Sequence, residues 1–145
     1  MARRACAARQ CAMRAAETTT CPCQSGHPYA QCCAPLHAQQ AVAESAEALM
    51  RSRYSAYVLA ESPYLLATWH ASTRPSLLEF DEALSTRWLG LEVRRHVIQD
   101  PDHATVEFVA RYRTGGAAAV RLHEISRFVR EGGRWYYLDG EFPPR

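Results

Sequence analysis

Lysine and asparagine are absent from this chain, and all 17 of its basic residues other than histidine are arginine. Without lysine there is no side-chain amine for a Schiff base and no ammonium for a P-loop phosphate clamp, so both chemistries are excluded. The seven glycines never fall as Gly-x-Gly, which removes the dinucleotide fingerprint and the kinase glycine loop. No stretch reaches the roughly 18 consecutive apolar residues of a membrane span. A net charge of +2 is too small to drive general binding to a phosphate backbone. The missing lysine and asparagine, set beside abundant alanine, read as a coding bias.

What is present fits one compact domain of 145 residues, 48% hydrophobic and 22% charged. A chain of this size buries roughly two thirds of its unfolded surface, enough for a core without disulfide staples. The slight basicity sits at the front. Residues 1–20 carry four arginines and one acid, whereas residues 21–145 carry 13 arginines and 14 acids. That leader lacks the apolar core of a secretory signal, so a cytoplasmic location is expected. It reads as a disordered tail ahead of a possible second start at Met13, in preference to a transit peptide, and it is not expected to contribute to folding.

Hydrophobic periodicity then divides the body in two. From Glu44 to about Ala60, Ala48, Met50, Tyr54, Tyr57 and Val58 fall close to one helical face. Ser62-Pro63 opens a second, short helix expected to run to about Ser72, ahead of Pro75. From Arg87 the period becomes two: Leu89, Leu91 and Val93 alternate with Glu92, Arg94 and His96, and Val106, Phe108, Ala110 and Tyr112 with Glu107, Arg111 and Arg113. Two further strands are expected over Ala117–Arg130 and Arg134–Asp139, punctuated by Gly115-Gly116 and Gly132-Gly133. Helices first and an antiparallel meander after predict an α+β fold, with a cavity between a curved sheet and the helical stripe.

All six cysteines precede residue 34, and four form C-x-C-x8-C-C through Cys21, Cys23, Cys32 and Cys33. Two close thiol pairs across a short turning loop suit a tetrahedral zinc shell better than disulfides in a reducing compartment. His37 is an alternative fourth ligand, though a solvated histidine ahead of the helix is preferred. Cys6 and Cys11, at unmatched spacing, are adventitious. Because the knuckle precedes the first core helix, loss of its metal on Cys32→Ser is expected to leave the cone folded.

The string Cys21-Pro-Cys-Gln-Ser-Gly-His-Pro-Tyr-Ala-Gln-Cys-Cys33 resembles the SEC-C motif, the zinc knuckle also found at the C-terminus of the SecA translocase. Downstream, Leu49–Tyr57, Thr68–Pro75, Trp88–Leu91, Val106–Tyr112, Leu122–Glu131 and Arg134–Gly140 resemble the YchJ-like family of uncharacterised bacterial proteins. The resemblance implies a cone of the nuclear transport factor 2 and scytalone dehydratase type, with helices packed on a curved antiparallel sheet. It implies no reaction. Gln24 stands where the family has its first motif glycine, and the second, C-terminal knuckle of many members is missing. The expected organisation is a leader over 1–20, a SEC-C knuckle over 21–37 and a nuclear transport factor 2-like domain over 38–145.

Within the cone, alternation from Val120 through Leu122 to Phe128 turns Glu124 and Ser126 inward. A buried carboxyl is either poised for acid/base work or held ionised by Arg74 or Arg127, and a bulge that turns it outward is the remaining possibility. Pocket candidates are Tyr57, Trp69, His70, Arg74, Glu124, Phe128 and Tyr137, with Glu124 and His70 as the best catalytic pair. His123 and Asp139 are weaker titratable candidates, and Tyr54 and Tyr136 are read as core with hydroxyls at the rim. The favoured function is a binding module, whose knuckle offers a protein partner a surface while the cone holds a small molecule. The alternative is a cofactor-independent isomerase, dehydratase or hydrolase acting on a small apolar substrate. Nucleic-acid binding ranks last because the body from residue 21 is slightly acidic.

Overall fold

A computed structural model describes residues 19–78 and 86–143. Residues 1–18 of the leader, with Met13, Cys6 and Cys11, lie outside them, whereas Thr19 and Thr20, expected to be part of a tail, pair with the knuckle, Thr20 bridging to Pro28. A 3-10 turn at Tyr29–Gln31 leads into α1 (Ala34–His37), followed by α2 (Ala46–Val58) and α3 (Ser62–Ala67). Four strands follow, β1 (Thr86–Asp100), β2 (His103–Thr114), β3 (Val120–Glu131) and β4 (Arg134–Glu141). They form one antiparallel meander in the order β1-β2-β3-β4. The α+β cone with an N-terminal cysteine cluster is therefore present.

Ser45 starts α2 by accepting a hydrogen bond from the Ala48 N–H at 3.1 Å, which satisfies one of the orphan donors of the first turn. Helix α2 is buried on more than one side. Leu49, Met50 and Tyr54 join Leu91, Val106, Phe108, Phe128 and Trp135 in the main core. Ser52 and Ser55, turned away from the sheet, are also fully buried. Such a helix shows only a weak apolar stripe, because its second face packs too.

Helix α3 ends at Ala67, short of the expected Ser72. The backbone leaves the helix to pair in parallel with β4: His70 N–H donates to Tyr137 O at 2.7 Å and Tyr137 N–H to Thr68 O at 2.8 Å. Covering a sheet edge outweighs another turn of helix here. On β1, register shifts interrupt the alternation, the first between Trp88 and Gly90. Leu89 is the extra residue and is exposed, while Trp88 and Leu91 both face inward. Strand β3 begins at Val120, later than Ala117, and closes into β4 through Gly132 and Gly133 at φ +57° and +78°, the left-handed pair a two-residue hairpin requires.

Candidate functional site

The knuckle is folded by its own backbone. Cys21 N–H donates to His27 O at 2.9 Å, Tyr29 N–H to Thr19 O at 2.8 Å and Gln24 N–H to Cys21 O at 3.1 Å. These bonds bring the four Sγ atoms of Cys21, Cys23, Cys32 and Cys33 within 4.8 Å of one another. The Cys23–Cys32 and Cys32–Cys33 sulfur distances are 3.6 and 3.9 Å, close to the ~3.8 Å tetrahedral edge that follows from metal–sulfur bonds of about 2.3 Å. Cys23 gives up its proton most easily, because thiols of Cys21 and Cys33 hydrogen-bond its sulfur. Hydrogen bonding to Cys23 pushes the Cys21 thiol up to about 11, and bonding to Cys21 and Cys23 raises Cys33 too. Four crowded thiolates need a cation among them, so the donor set fits a metal ion.

His37 is not part of that set. Its Nδ1 meets the Tyr29 hydroxyl at 2.7 Å and its Nε2 the Ser52 carbonyl at 2.8 Å, and its ring packs 4.8 Å from that of Tyr64. The solvated histidine expected here is instead a bridge between knuckle and α2. Two more ties join them to the body. Arg51 Nη1 donates to Cys23 O at 2.9 Å. Oriented so that both ends are satisfied, the Gln24 amide donates to Leu91 O at 3.2 Å and accepts from Leu91 N–H at 3.3 Å. The knuckle is thus docked on α2 and on the β1 edge.

Between α2 and the concave sheet face lies a cavity of about 880 Å³. Tyr54, Tyr57, Trp88, Phe108 and Tyr112 form one side, with Trp69, Phe128 and Tyr137 on another. Trp88 packs against Tyr54, Tyr57 and Tyr112 at centroid distances of 5.6, 5.8 and 5.2 Å. Among the described residues the charged groups of the cavity wall are Arg53 and Glu124. Arg53 is only 6% exposed. Its Nη1 donates to Leu65 O at 2.8 Å and Thr68 Oγ1 at 2.7 Å, and the guanidinium carbon lies 5.0 and 4.7 Å from the Trp69 and Tyr137 ring centres.

Glu124 faces inward as alternation predicts and accepts a short hydrogen bond from the Ser126 hydroxyl. Burial pushes its carboxyl above the ordinary range, against the pull of Ser126 and Arg53. It lies across Gly140, where a Cβ would sit 2.7 Å from Glu124 Cδ. Only glycine on β4 leaves this space open.

Of the expected pocket residues, Tyr57, Trp69, Glu124, Phe128 and Tyr137 line one cavity. His70 and Arg74 do not. The His70 ring is held outside by Ser72 at 2.7 Å and Glu131 at 2.9 Å, because pairing of residue 70 with β4 carries its side chain past the cavity. Arg74 is exposed and spends Nε and Nη2 on the Trp69 carbonyl at 3.0 and 2.9 Å. Arg127 pairs with Asp139 and Glu141 away from the cavity at 2.5 and 3.0 Å, so neither arginine holds Glu124. His123 pairs with Glu107 at 2.7 Å. Arg53 was missed. Its signal was helical spacing, four residues from both Leu49 and Tyr57, which puts a charge on the buried stripe.

A knuckle of four cysteines braced against a nuclear transport factor 2-like cone defines a class, and two family models recover it: the SEC-C motif over residues 18–35, and "YchJ, middle NTF2-like domain" over residues 45–140. The chain belongs to the YchJ-like family, whose relatives bear the name UPF0225 protein. UPF0225 protein RSc0270 of Ralstonia nicotianae is 58% identical over 136 residues, covering 87% of this chain and 93% of its own. UPF0225 protein XOO0258 of Xanthomonas oryzae is 57% identical over 119 residues, covering 82% and 92%. Two solved SEC-C proteins share the fold. RPA3114 of Rhodopseudomonas palustris, in solution, has a TM-score of 0.75 and 38% identity over 87% of this chain and all of its own. A crystal structure from Psychrobacter arcticus has a TM-score of 0.71 and 29% identity, covering 90% and 86%.

Proposed function

We propose that this chain is a small-molecule-binding module in which a metal-held knuckle braces a cone-shaped cavity. The observation that carries the reading is the cavity itself. Its volume of about 880 Å³ lies within the range of ligand sites, and aromatic walls with a few converging polar groups are what such sites use. Zinc is the proposed metal, since four thiolates close a tetrahedral structural shell with no open position. The cytoplasm, a reducing compartment, suits four thiols kept for a metal. The exposed outer side of the knuckle, with His27 and Gln31, is the surface proposed for a protein partner.

A second reading, a cofactor-independent isomerase, dehydratase or hydrolase, draws on the buried Glu124 carboxyl, whose raised pKa suits a general acid. Its expected proton partner, His70, is bonded elsewhere, so binding is preferred. The test uses N-phenyl-1-naphthylamine, a neutral dye that brightens on leaving water. Wild type is expected to enhance its emission saturably. Ala110→Phe, which fills the cavity from the β2 wall, is expected to abolish that signal while circular dichroism stays native. Equal dye binding by both proteins would overturn the reading.

A further inference from the structure

Arg53 is a buried cation that forms no salt bridge among the described residues. Nη1 is satisfied by two neutral acceptors, the Tyr57 hydroxyl is a further neutral hydrogen-bond partner, and the ring faces of Trp69 and Tyr137 flank the guanidinium. Aromatic faces offset part of the cost of burying such a charge, and a contacting anion offsets far more. Among the described residues the carboxylate on the same cavity wall is Glu124, but it is turned to Ser126 and laid over Gly140. The two groups share one cavity wall with no ion pair between them, beside the hydroxyls of Ser126, Tyr57 and Tyr137.

We propose that the cavity takes an apolar molecule with one carboxylate head, seated between the guanidinium of Arg53 and the carboxyl of Glu124. This rests on the small-molecule reading above and adds the chemical class. A carboxylate accepts from Arg53 N–H and, on its other oxygen, from the O–H of Glu124 in its acid form. The charges then close, with +1 from Arg53 and −1 from the ligand. An amine head meets the guanidinium as a like charge, and an alcohol bridges the two groups without neutralising the charge. Burial raises the Glu124 carboxyl above the ordinary carboxylate value, which favours the acid form. The groups facing it are Arg53 and Tyr57 from α2, Ser126 on its own strand, and Tyr137 and Asp139 from β4.

The test is titration calorimetry of the whole metal-loaded protein with 2-naphthoate, 2-naphthalenemethanol and 2-naphthalenemethylamine at pH 5.5 and 8. The acid is expected to bind at least tenfold tighter than the alcohol at pH 5.5, as charge-assisted hydrogen bonds outweigh neutral ones, and the amine weakest. Its affinity is expected to be lower at pH 8 than at pH 5.5, the direction set by loss of the Glu124 proton as pH rises. Arg53→Gln is expected to bring the acid down to the alcohol's affinity. If that variant fails to fold, Glu124→Gln still decides: a neutral amide in place of the acid is expected to flatten the pH dependence. Alcohol or amine binding as tightly as naphthoate would overturn the carboxylate class and leave the cavity reading standing. Silence from all three would overturn both.

Discussion

Glu124 and Gly140 are a pair in which one residue exists in its position because the other has no side chain. A Cβ on residue 140 would lie 2.7 and 2.9 Å from Glu124 Cδ and Cγ, so Gly140→Ala is expected to cost about 1–3 kcal/mol by overpacking. Glu124→Ala is expected to remove most of that penalty, and denaturant unfolding of the double-mutant cycle measures it. Additive effects would mean the contact is not tight. Glu124 also sets a pH dependence whose sign follows from burial. Its folded pKa lies above the ordinary 4.5, so between those values the native state holds a proton the unfolded chain has lost. Stability from this group is therefore fully present below pH 4.5 and falls as pH rises towards the folded pKa. Glu124→Gln is expected to match wild type near pH 4 and to exceed it at pH 8. Melting curves across that range check it; a loss of stability at pH 8 would mean Glu124 is held ionised by a partner.

Elements in this fold are joined by side chains from exposed turns as well as from helices. Gln24 adopts φ +63°, a left-handed conformation costly for any residue but glycine, and in return its amide closes both free backbone groups of Leu91 on the edge strand. Two substitutions separate strain from latch. Gln24→Ala keeps the strained backbone and loses both hydrogen bonds, and is expected to cost about 1 kcal/mol, with faster amide exchange at Leu91. Gln24→Gly loses the same bonds but relieves the strain, and is expected to be more stable than Gln24→Ala by about 1 kcal/mol. Equal stabilities would show that the turn carries no strain.

For the whole molecule, the ties through Gln24, His37 and Arg51 make the knuckle part of the cone's support. Helix α2 is clamped between the sheet and the knuckle, and it carries Arg53 and Tyr57 into the cavity. Cys32→Ser is expected to lower metal content sharply and also to lower the Tm of the main unfolding transition, since ligand binding to the native state adds to its stability. Metal analysis beside calorimetry reads both. Metal loss with an unchanged Tm would return the knuckle to an independent appendage.

The local sequence determined a good deal. Four cysteines at a tight spacing mark a metal knuckle because ligand chemistry is short-range and carried by residue type. The helix, the meander and the inward turn of Glu124 are legible because burial on one face imposes a period of 3.6 or 2. Tertiary structure decided the rest. Pairing of residues 68–70 with β4 removed His70 from the cavity, and a bulge turned Leu89 outward where alternation pointed inward. Only packing on two sides of α2 made room for a buried arginine, since the acceptors that satisfy Arg53, Leu65 O and Thr68 Oγ1, belong to α3 and the turn after it. The sequence specifies which groups exist and which face each prefers. Which groups meet is set by backbone pairing and long-range hydrogen bonds, energies of a kcal/mol or so that no local pattern records.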